Sequence, residues 1–160
     1  FKVPKATWKH VALFLKDTFT KEVLCMYRLC IAGSRNFSNV QLAEEVLNQI
    51  FAFIAKKHGN DITIISGGAR GADSVGELIA QKLGYRIERY IPDWNRYGKS
   101  AGYKRNQSMC AASDGCIVFW DGKSRGSHHM INPCRKAGKP VMVFDMSGNV
   151  IRTDTIPFMS

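Results

Sequence analysis

Residues 62–76 read Ile-Thr-Ile-Ile-Ser-Gly-Gly-Ala-Arg-Gly-Ala-Asp-Ser-Val-Gly. A β-branched apolar run stops at Ser66-Gly67-Gly68-Ala69-Arg70-Gly71, and a helix-compatible segment, Ala72 to Leu83, follows at once. A strand, a glycine-rich turn and a helix N-terminus in that order favour a bound anion. Glycine lets backbone N–H groups come close to a ligand, and the first helical turn leaves donors unpaired. Phosphate is the guest that suits this chemistry. Arg70 offers a charge-assisted donor, and Asp73, in the first turn, either caps backbone donors or accepts from a ribose hydroxyl. A tight turn that needs glycine only for its backbone angles would carry the same letters. The spacing is neither the G-x-G-x-x-G dinucleotide pattern nor the Walker pattern ending in G-K-S/T, so neither mechanism is implied.

Two more turns of this kind follow apolar runs. Tyr27 to Ala32 ends in Gly33-Ser34-Arg35-Asn36-Phe37, and Gly115 to Trp120 ends in Asp121-Gly122-Lys123-Ser124-Arg125-Gly126-Ser127. Between them lies an aromatic, basic stretch without periodicity, Pro92 to Gly102. Such a loop inside a compact domain binds or covers something. Trp94 and Tyr97 are placed to stack on a base with Arg96 and Lys99 near its phosphates, or else the rings pin the loop to the body. A helix over Tyr103 to Ala112 sets Arg105, Asn106 and Met109 on neighbouring positions. His128 and His129 are adjacent rather than four apart, so no helical metal pair is expected.

The elements that must position these residues come from periodicity. Strands are expected at Tyr27–Ala32, Ile62–Ile65, Arg86–Ile91, Gly115–Trp120 and Pro140–Phe144. Helices are expected at Val40–Lys57, Ala72–Leu83, Tyr103–Ala112 and His128–Ala137. Asn39 caps the first, and Leu42, Val46, Ile50, Phe53 and Ile54 form its core stripe. This alternation predicts an α/β fold, a Rossmann-like, doubly wound, mostly parallel five-stranded sheet with helices on both faces. Ser147-Gly148-Asn149 and Val150 to Arg152 add a short C-terminal hairpin. Ligands of such sheets sit at the carboxyl ends of the strands, where all three glycine turns and the aromatic stretch fall.

Residues 1–25 differ in composition. Five lysines stand against one aspartate and one glutamate up to Val23, and Trp8, Ala12, Leu15 and Phe19 share one face of a helix starting after Thr7. The chain begins with Phe, and Met26 directly precedes the first strand. The segment is therefore expected to be a basic amphipathic extension, with residues 26–160 forming a single domain.

With 160 residues, 45% of them hydrophobic, the chain has material for one ordinary core. Its net charge of +10 favours an anionic partner: nucleic acid, a nucleotide or an acidic protein face. Charge alone does not choose among these. The five cysteines are odd in number and include no C-x-x-C pair, so reduced thiols in the cytoplasm are the simplest expectation. No apolar run is long enough for a membrane helix, and no stretch resembles a secretory signal. No membrane partner, metal or cofactor is expected.

The ordered blocks Gly33-Ser34-Arg35-x-Phe37, Ser66-Gly67-Gly68-Ala69-Arg70-Gly71-Ala72-Asp73, Pro92-x-Trp94 with Tyr97-Gly98-Lys99-x-Ala101-Gly102, Arg105-Asn106-x-x-Met109, and Phe119-Trp120-Asp121-Gly122-x-Ser124-x-Gly126-Ser127 resemble the SLOG superfamily. This Rossmann-like group includes DprA, the LOG phosphoribohydrolases and small YspA/YpsA-like proteins, and the resemblance is closest to the last. It implies a nucleotide or nucleotide-derived ligand across the sheet's carboxyl edge, held by a sensing or sequestering module. Gly33, Ser34, Arg35, Ser66 and Asn106 join the ligand-binding set. Gly67, Gly68, Arg70, Gly71, Ser124, Gly126 and Ser127 would surround the phosphates, with Gly122 and Arg125 in the same loop. Arg105 would face the sugar phosphate, and Trp94 and Tyr97 would cover the base.

LOG enzymes cleave the base–ribose bond of a nucleoside monophosphate. Their arginine four residues before a methionine is matched by Arg105 and Met109, but Met130 stands where they carry a glutamate. Arg105 with Asp121 or Asp73 would have to carry that activity, the first alternative function. The second is single-stranded DNA binding in the manner of DprA. The resemblance also implies a homo-oligomer.

Overall fold

The computed structural model describes residues 3–18, 26–153 and 156. Helix α1 (Lys5–Thr18) comes first, then β1 (Tyr27–Gly33), α2 (Val40–His58), β2 (Ile62–Ser66), α3 (Ala72–Lys82) and β3 (Arg86–Arg89). A short helix α4 (Trp94–Tyr97) and a 3₁₀ turn (Gly98–Ser100) lead into α5 (Ala101–Ala112). The chain continues with β4 (Gly115–Phe119), α6 (Arg125–Lys136), β5 (Val141–Phe144) and β6 (Val150–Ile151).

The strands form one sheet in the order β3-β2-β1-β4-β5-β6. Every pairing is parallel except that of β5 with β6, where Phe144 lies opposite Val150. Among the described residues the sheet has six strands rather than five, because the terminal hairpin adds its second strand to the same ladder. The chain winds outward from β1 to β3, then returns to the other side of β1 with β4, so the winding reverses between β1 and β4. In doubly wound sheets that reversal opens a crevice at the strands' carboxyl ends.

Strand alternation sends successive side chains to opposite faces. Leu29, Ile31, Ile64, Ile117, Phe119 and Phe144 pack on one side with α1, α2 and α3. Cys30, Ala32, Ile65, Cys116, Val118 and Val143 pack on the other with α5 and α6. β2 and β4 are buried along their whole length, as continuous apolar runs in a parallel sheet should be. Cys30, Cys110, Cys116 and Cys134 are free and buried on the α5 and α6 side.

Helix boundaries move where capping outweighs hydrophobic period. Asn39 caps α2 by accepting from the Leu42 amide at 3.1 Å. Leu42, Val46, Ile50 and Ile54 are buried in its stripe, but Phe53 is largely exposed, and Ala43, Leu47 and Phe51 complete the face instead. Ser124 caps α6, which therefore starts at Arg125 rather than His128. Asp93 accepts from the Arg96 amide at 3.0 Å and starts α4 inside the stretch expected to be irregular.

α1 starts at Lys5, before Thr7, and presents Thr7, Val11 and Phe14 to the core while Ala12 is exposed. The face expected from Trp8, Ala12, Leu15 and Phe19 is thus rotated; the Leu15 side chain and Phe19 lie outside the described residues. Thr7 Oγ1 donates to the Gly148 carbonyl at 2.7 Å, tying α1 to the turn before β6. Among the described residues, no helix is long and apolar enough to cross a membrane.

Candidate functional site

A cavity of about 430 Å³ opens at the carboxyl ends of β1 and β4, where the winding reverses. Four segments wall it. Gly33 ends β1, with Arg35 and Asn36 in the turn that follows; Ala69 and Arg70 come from the turn into α3, and Asp73 from its first turn. Arg105, Asn106 and Met109 lie on α5, and Asp121, Ser124, Gly126, Ser127 and Met130 belong to the turn after β4 and to α6. The N-termini of α3 and α6 both meet it.

The turns after β1 and β4 are locked together behind this wall. Ser34 is fully buried, and its hydroxyl accepts from the Asp121 amide at 3.0 Å. Its own amide donates to the Phe119 carbonyl at 2.8 Å, and its carbonyl accepts from the Ala72 amide at 3.2 Å. Gly71 follows at φ +86°, and a Cβ there would strike the Ser34 carbonyl and the Arg35 backbone. Gly71 thus serves loop-on-loop packing.

Gly67 plays a similar part against side chains. A Cβ on it would lie 2.6 Å from Arg105 Nη1 and 2.7 Å from Asp73 Oδ2. Because that space is empty, Arg105 Nη1 reaches the Gly67 carbonyl at 2.7 Å and Nε reaches Asn106 Oδ1 at 3.0 Å. Burial lowers the pKa of this guanidinium; the Asp73 charge opposes the shift and the Arg35 charge adds to it. Asn106, itself buried, donates from Nδ2 to the Gly126 carbonyl at 3.2 Å and so joins α5 to α6.

The carboxylates differ in how they are held. Asp121 accepts from the Lys123 and Ser124 amides at 2.9 and 2.8 Å. Desolvation works against its charge, but these donors outweigh it and hold the carboxyl below its usual range. Asp73 is only 6% exposed; it accepts a long bond from the Ala69 amide at 3.3 Å and a weaker one from the Gly67 backbone. Burial pushes it up to about 6, although these amides and the nearby Arg105 charge pull the other way. Among the described residues no cation lies within ion-pair distance of Asp73.

Arg35 and Arg70 are exposed on the rim and, among the described residues, neither guanidinium has a protein partner. Ser124 Oγ accepts from the Ser127 amide at 3.4 Å and from its hydroxyl at 3.1 Å. The cavity therefore holds three guanidiniums against two carboxylates, with two helix N-termini adding partial positive charge. Its field favours an anion.

Several residues expected at the site lie elsewhere. Ser66, buried at the end of β2, donates to Glu77 Oε1 at 2.7 Å and accepts from the Gly68 amide at 3.1 Å, bracing the turn from beneath. Gly68 sits outside beside Ile91, and Gly122, Arg125 and Lys99 are exposed off the cavity wall. Trp94 is 54% exposed and Tyr97 37% exposed, and neither lines the cavity. Tyr97 carries Arg96 and Lys104 over its ring at 5.1 and 4.8 Å.

The structure also brings in residues that sequence reasoning passed over. Glu77 lies one turn beyond Asp73 and binds Arg89 through contacts of 2.6 to 3.0 Å. Desolvation opposes its charge, but Arg89 and Ser66 together keep its carboxyl below the usual range. No local pattern announces that pair, since its partners are twelve residues apart on different elements. Asn36 lines the cavity as well, legible in the sequence only as the neighbour of Arg35, and so does Met130, already marked by its place at the LOG glutamate position.

Residues 27–97 match the family model described as YspA, cpYpsA-related SLOG family. The chain is 33% identical over 125 residues to the Gene 61 protein of Mycobacterium phage D29, covering 74% of this chain and 97% of that one. Its fold is similar to DNA processing protein A (DprA) from Streptococcus pneumoniae, with a TM-score of 0.57 and 19% identity. That similarity covers 76% of this chain and 50% of the DprA chain, so the protein spans about half the DprA length.

Proposed function

The chain belongs to the YspA, cpYpsA-related SLOG family, and from that premise and its cavity we propose that it binds a phosphate-bearing, nucleotide-derived ligand as a sensor or sequestering module. The observation that carries this reading is the convergence of two helix N-termini and three arginines, two of them without protein partners among the described residues, on one cavity at the sheet's reversal point. In this reading Arg35 and Arg70 clamp the phosphate oxygens from the rim. The Gly126 amide and the Ser124 hydroxyl proton face the ligand at the start of α6, Ser127 braces Ser124 from behind, and Arg105 holds the sugar-phosphate side. Trp94 and Tyr97 stand ready beyond the rim to cover a base that projects from the cavity.

A second reading makes the same cavity cleave the base–ribose bond. It is favoured by Asp73, a buried carboxyl held near pH 6, within the range that suits a general acid or base. Met130 fills the position where the LOG enzymes carry glutamate, so Asp73 or Asp121, both on the cavity wall, would act with Arg105. A further reading, single-stranded nucleic acid on the exposed surface of Trp94, Tyr97 and Lys104, is favoured by the cations over the Tyr97 ring. Steep weakening of oligonucleotide binding by salt would mark it.

Incubating the protein with nucleoside monophosphates, cyclic nucleotides, NAD and ADP-ribose, and analysing the mixture by HPLC before and after heat denaturation, separates the first two readings. A compound that leaves the free pool and returns intact after heating marks a binder. Free base that accumulates with time, and stops accumulating in Asp73→Asn, marks a glycosidase. A panel that stays wholly free and unchanged contradicts both.

A further inference from the structure

Three carboxylates sit in or beneath the cavity, and two have their hydrogen bonds made. Glu77 is engaged by Arg89 and Ser66, and Asp121 by the amides of its own turn. Asp73 is the exception: it lines the cavity, is more than nine-tenths buried, and among the described residues is held only by the long bond from the Ala69 amide and a weaker one from the Gly67 backbone, with no side-chain donor. Arg105 stands close but turns its guanidinium to the Gly67 and Tyr90 carbonyls instead.

An uncompensated acid in an anion-binding cavity repels a bare phosphate, so it reduces affinity unless the ligand brings a donor to it. We infer that Asp73 is a specificity-determining residue: it accepts hydrogen bonds from a hydroxyl-bearing part of the ligand, the ribose of a nucleotide, whose phosphate is held by the arginines. This rests on the nucleotide reading above and deepens it. A ligand with both groups satisfies the cavity, whereas inorganic phosphate or a sugar stripped of its hydroxyls leaves Asp73 buried and unpaired.

The proton balance follows from the same geometry. Asp73 faces Arg105 from α5, Arg35 from the turn after β1, Arg70 from its own turn and Asp121 from the turn after β4, with Glu77 one helical turn on. His129 of α6 lies behind Asn106, its pKa lowered chiefly by burial. The ribose hydroxyls select the ionised carboxylate, so binding releases a proton around pH 6 and the preference for ribose strengthens as pH rises through that region. A phosphate monoester itself titrates near pH 6, but it does so equally with or without hydroxyls, and the ratio of the two affinities cancels it.

The test titrates wild type and Asp73→Asn with the four nucleoside 5′-monophosphates, their 2′,3′-dideoxy counterparts and inorganic phosphate, at pH 5 and pH 7.5. For the wild type at pH 7.5, the best ribonucleotide should bind about tenfold or more tighter than its dideoxy form, as a hydrogen bond to a charged group implies. The ratio should shrink at pH 5. Asp73→Asn should reduce the ratio several-fold, remove its pH dependence and bind inorganic phosphate more tightly than wild type does. Melting curves establish that the variant is folded, and tighter phosphate binding is a gain that misfolding would not produce. Equal ribose and dideoxy affinities in wild type, or an unchanged ratio in Asp73→Asn, overturn the role of Asp73 while the nucleotide reading stands. Binding of none of these compounds overturns the role of Asp73, and the nucleotide reading falls with it when cyclic nucleotides, NAD and ADP-ribose also stay free.

Discussion

The turn after β2 and the turn after β4 carry similar letters, glycines mixed with arginine and serine, yet their glycines answer to different forces. In the first, Gly67 and Gly71 are crowded, one against Arg105 and Asp73 and the other against the backbone of Ser34 and Arg35. In the second, Gly122 and Gly126 would meet nothing within 4 Å if each gained a Cβ. The first turn is closed by its own protein, so its glycines hold the architecture of the cavity. The second is open, so Gly126 leaves room at the start of α6 for whatever enters. A glycine-rich turn after a strand thus has several physical origins: close packing at Gly67 and Gly71, a φ of +80° at Gly122, and open space at Gly126.

The largest effect that tests this contrast belongs to Gly71→Ala. Its φ of +86° and the backbone atoms it would strike leave no cheap relaxation, so a loss of about 3 kcal/mol or more is expected, visible as a large fall in Tm. A melting temperature near wild type would mean that the two turns are not packed as described.

Asp73 comes next, and its effect depends on pH. Raising its carboxyl from 3.8 to about 6 means that the folded state holds this proton more tightly than the unfolded chain does. The stability this lends is fully present below pH 3.8 and is lost as pH rises through 6, a difference of about 3 kcal/mol at most. Asp73→Asn should flatten that part of the curve and raise Tm at pH 7 relative to wild type. Denaturant unfolding from pH 4 to pH 7 checks the slope; parallel curves for the two proteins would show that Asp73 is not the group responsible.

Gly67→Ala should act more on the site than on the fold. The new methyl meets the far end of the flexible Arg105 side chain at 2.6 Å and the Asp73 carboxylate at 2.7 Å, both side-chain ends that can move at a stability cost of about 1 kcal/mol. In doing so Arg105 loses its bond to the Gly67 carbonyl, and phosphate affinity should fall about tenfold. The smallest change is Gly126→Ala. Alanine suits a helical position better than glycine, so stability should rise by about 0.5 kcal/mol, while the methyl entering the cavity weakens ligand binding. Both variants are read by paired melting and titration experiments, and a destabilised Gly126→Ala would erase the contrast between the turns.

Much of the fold is legible in the sequence because its strands are β-branched runs and its long helices carry apolar stripes. The order of strands about β1 and the packing of Cys30 beside Cys116 are long-range facts that no window of residues contains. Short polar caps explain the boundary differences: Asp93 starts a four-residue helix too brief to show a period, and Ser124 starts α6 three residues before its first histidine. At the site, Arg35, Arg70, Asp73 and Arg105 are legible as residue types near turns. What the sequence does not carry is their division into roles. Ser34 and Ser66 resemble phosphate ligands by position, but they are buried and bonded to Asp121 and Glu77. Trp94 and Tyr97 resemble cavity residues but stand outside the wall on exposed turns. Residues 1–25 differ in composition from the rest, while Val11 and Phe14 of α1 pack into the same core as Leu29.

The most direct test of the central claim is calorimetric titration of the nucleotides retained by wild type into an Arg35→Ala, Arg70→Ala double variant. Both side chains are exposed on the cavity rim, so their removal should leave Tm unchanged. The account predicts saturable binding to the wild type that weakens by about tenfold or more in the double variant, as expected for loss of charge-assisted phosphate contacts. Equal affinities in the two proteins, or no saturable binding to either, would contradict a phosphate-binding role for this cavity.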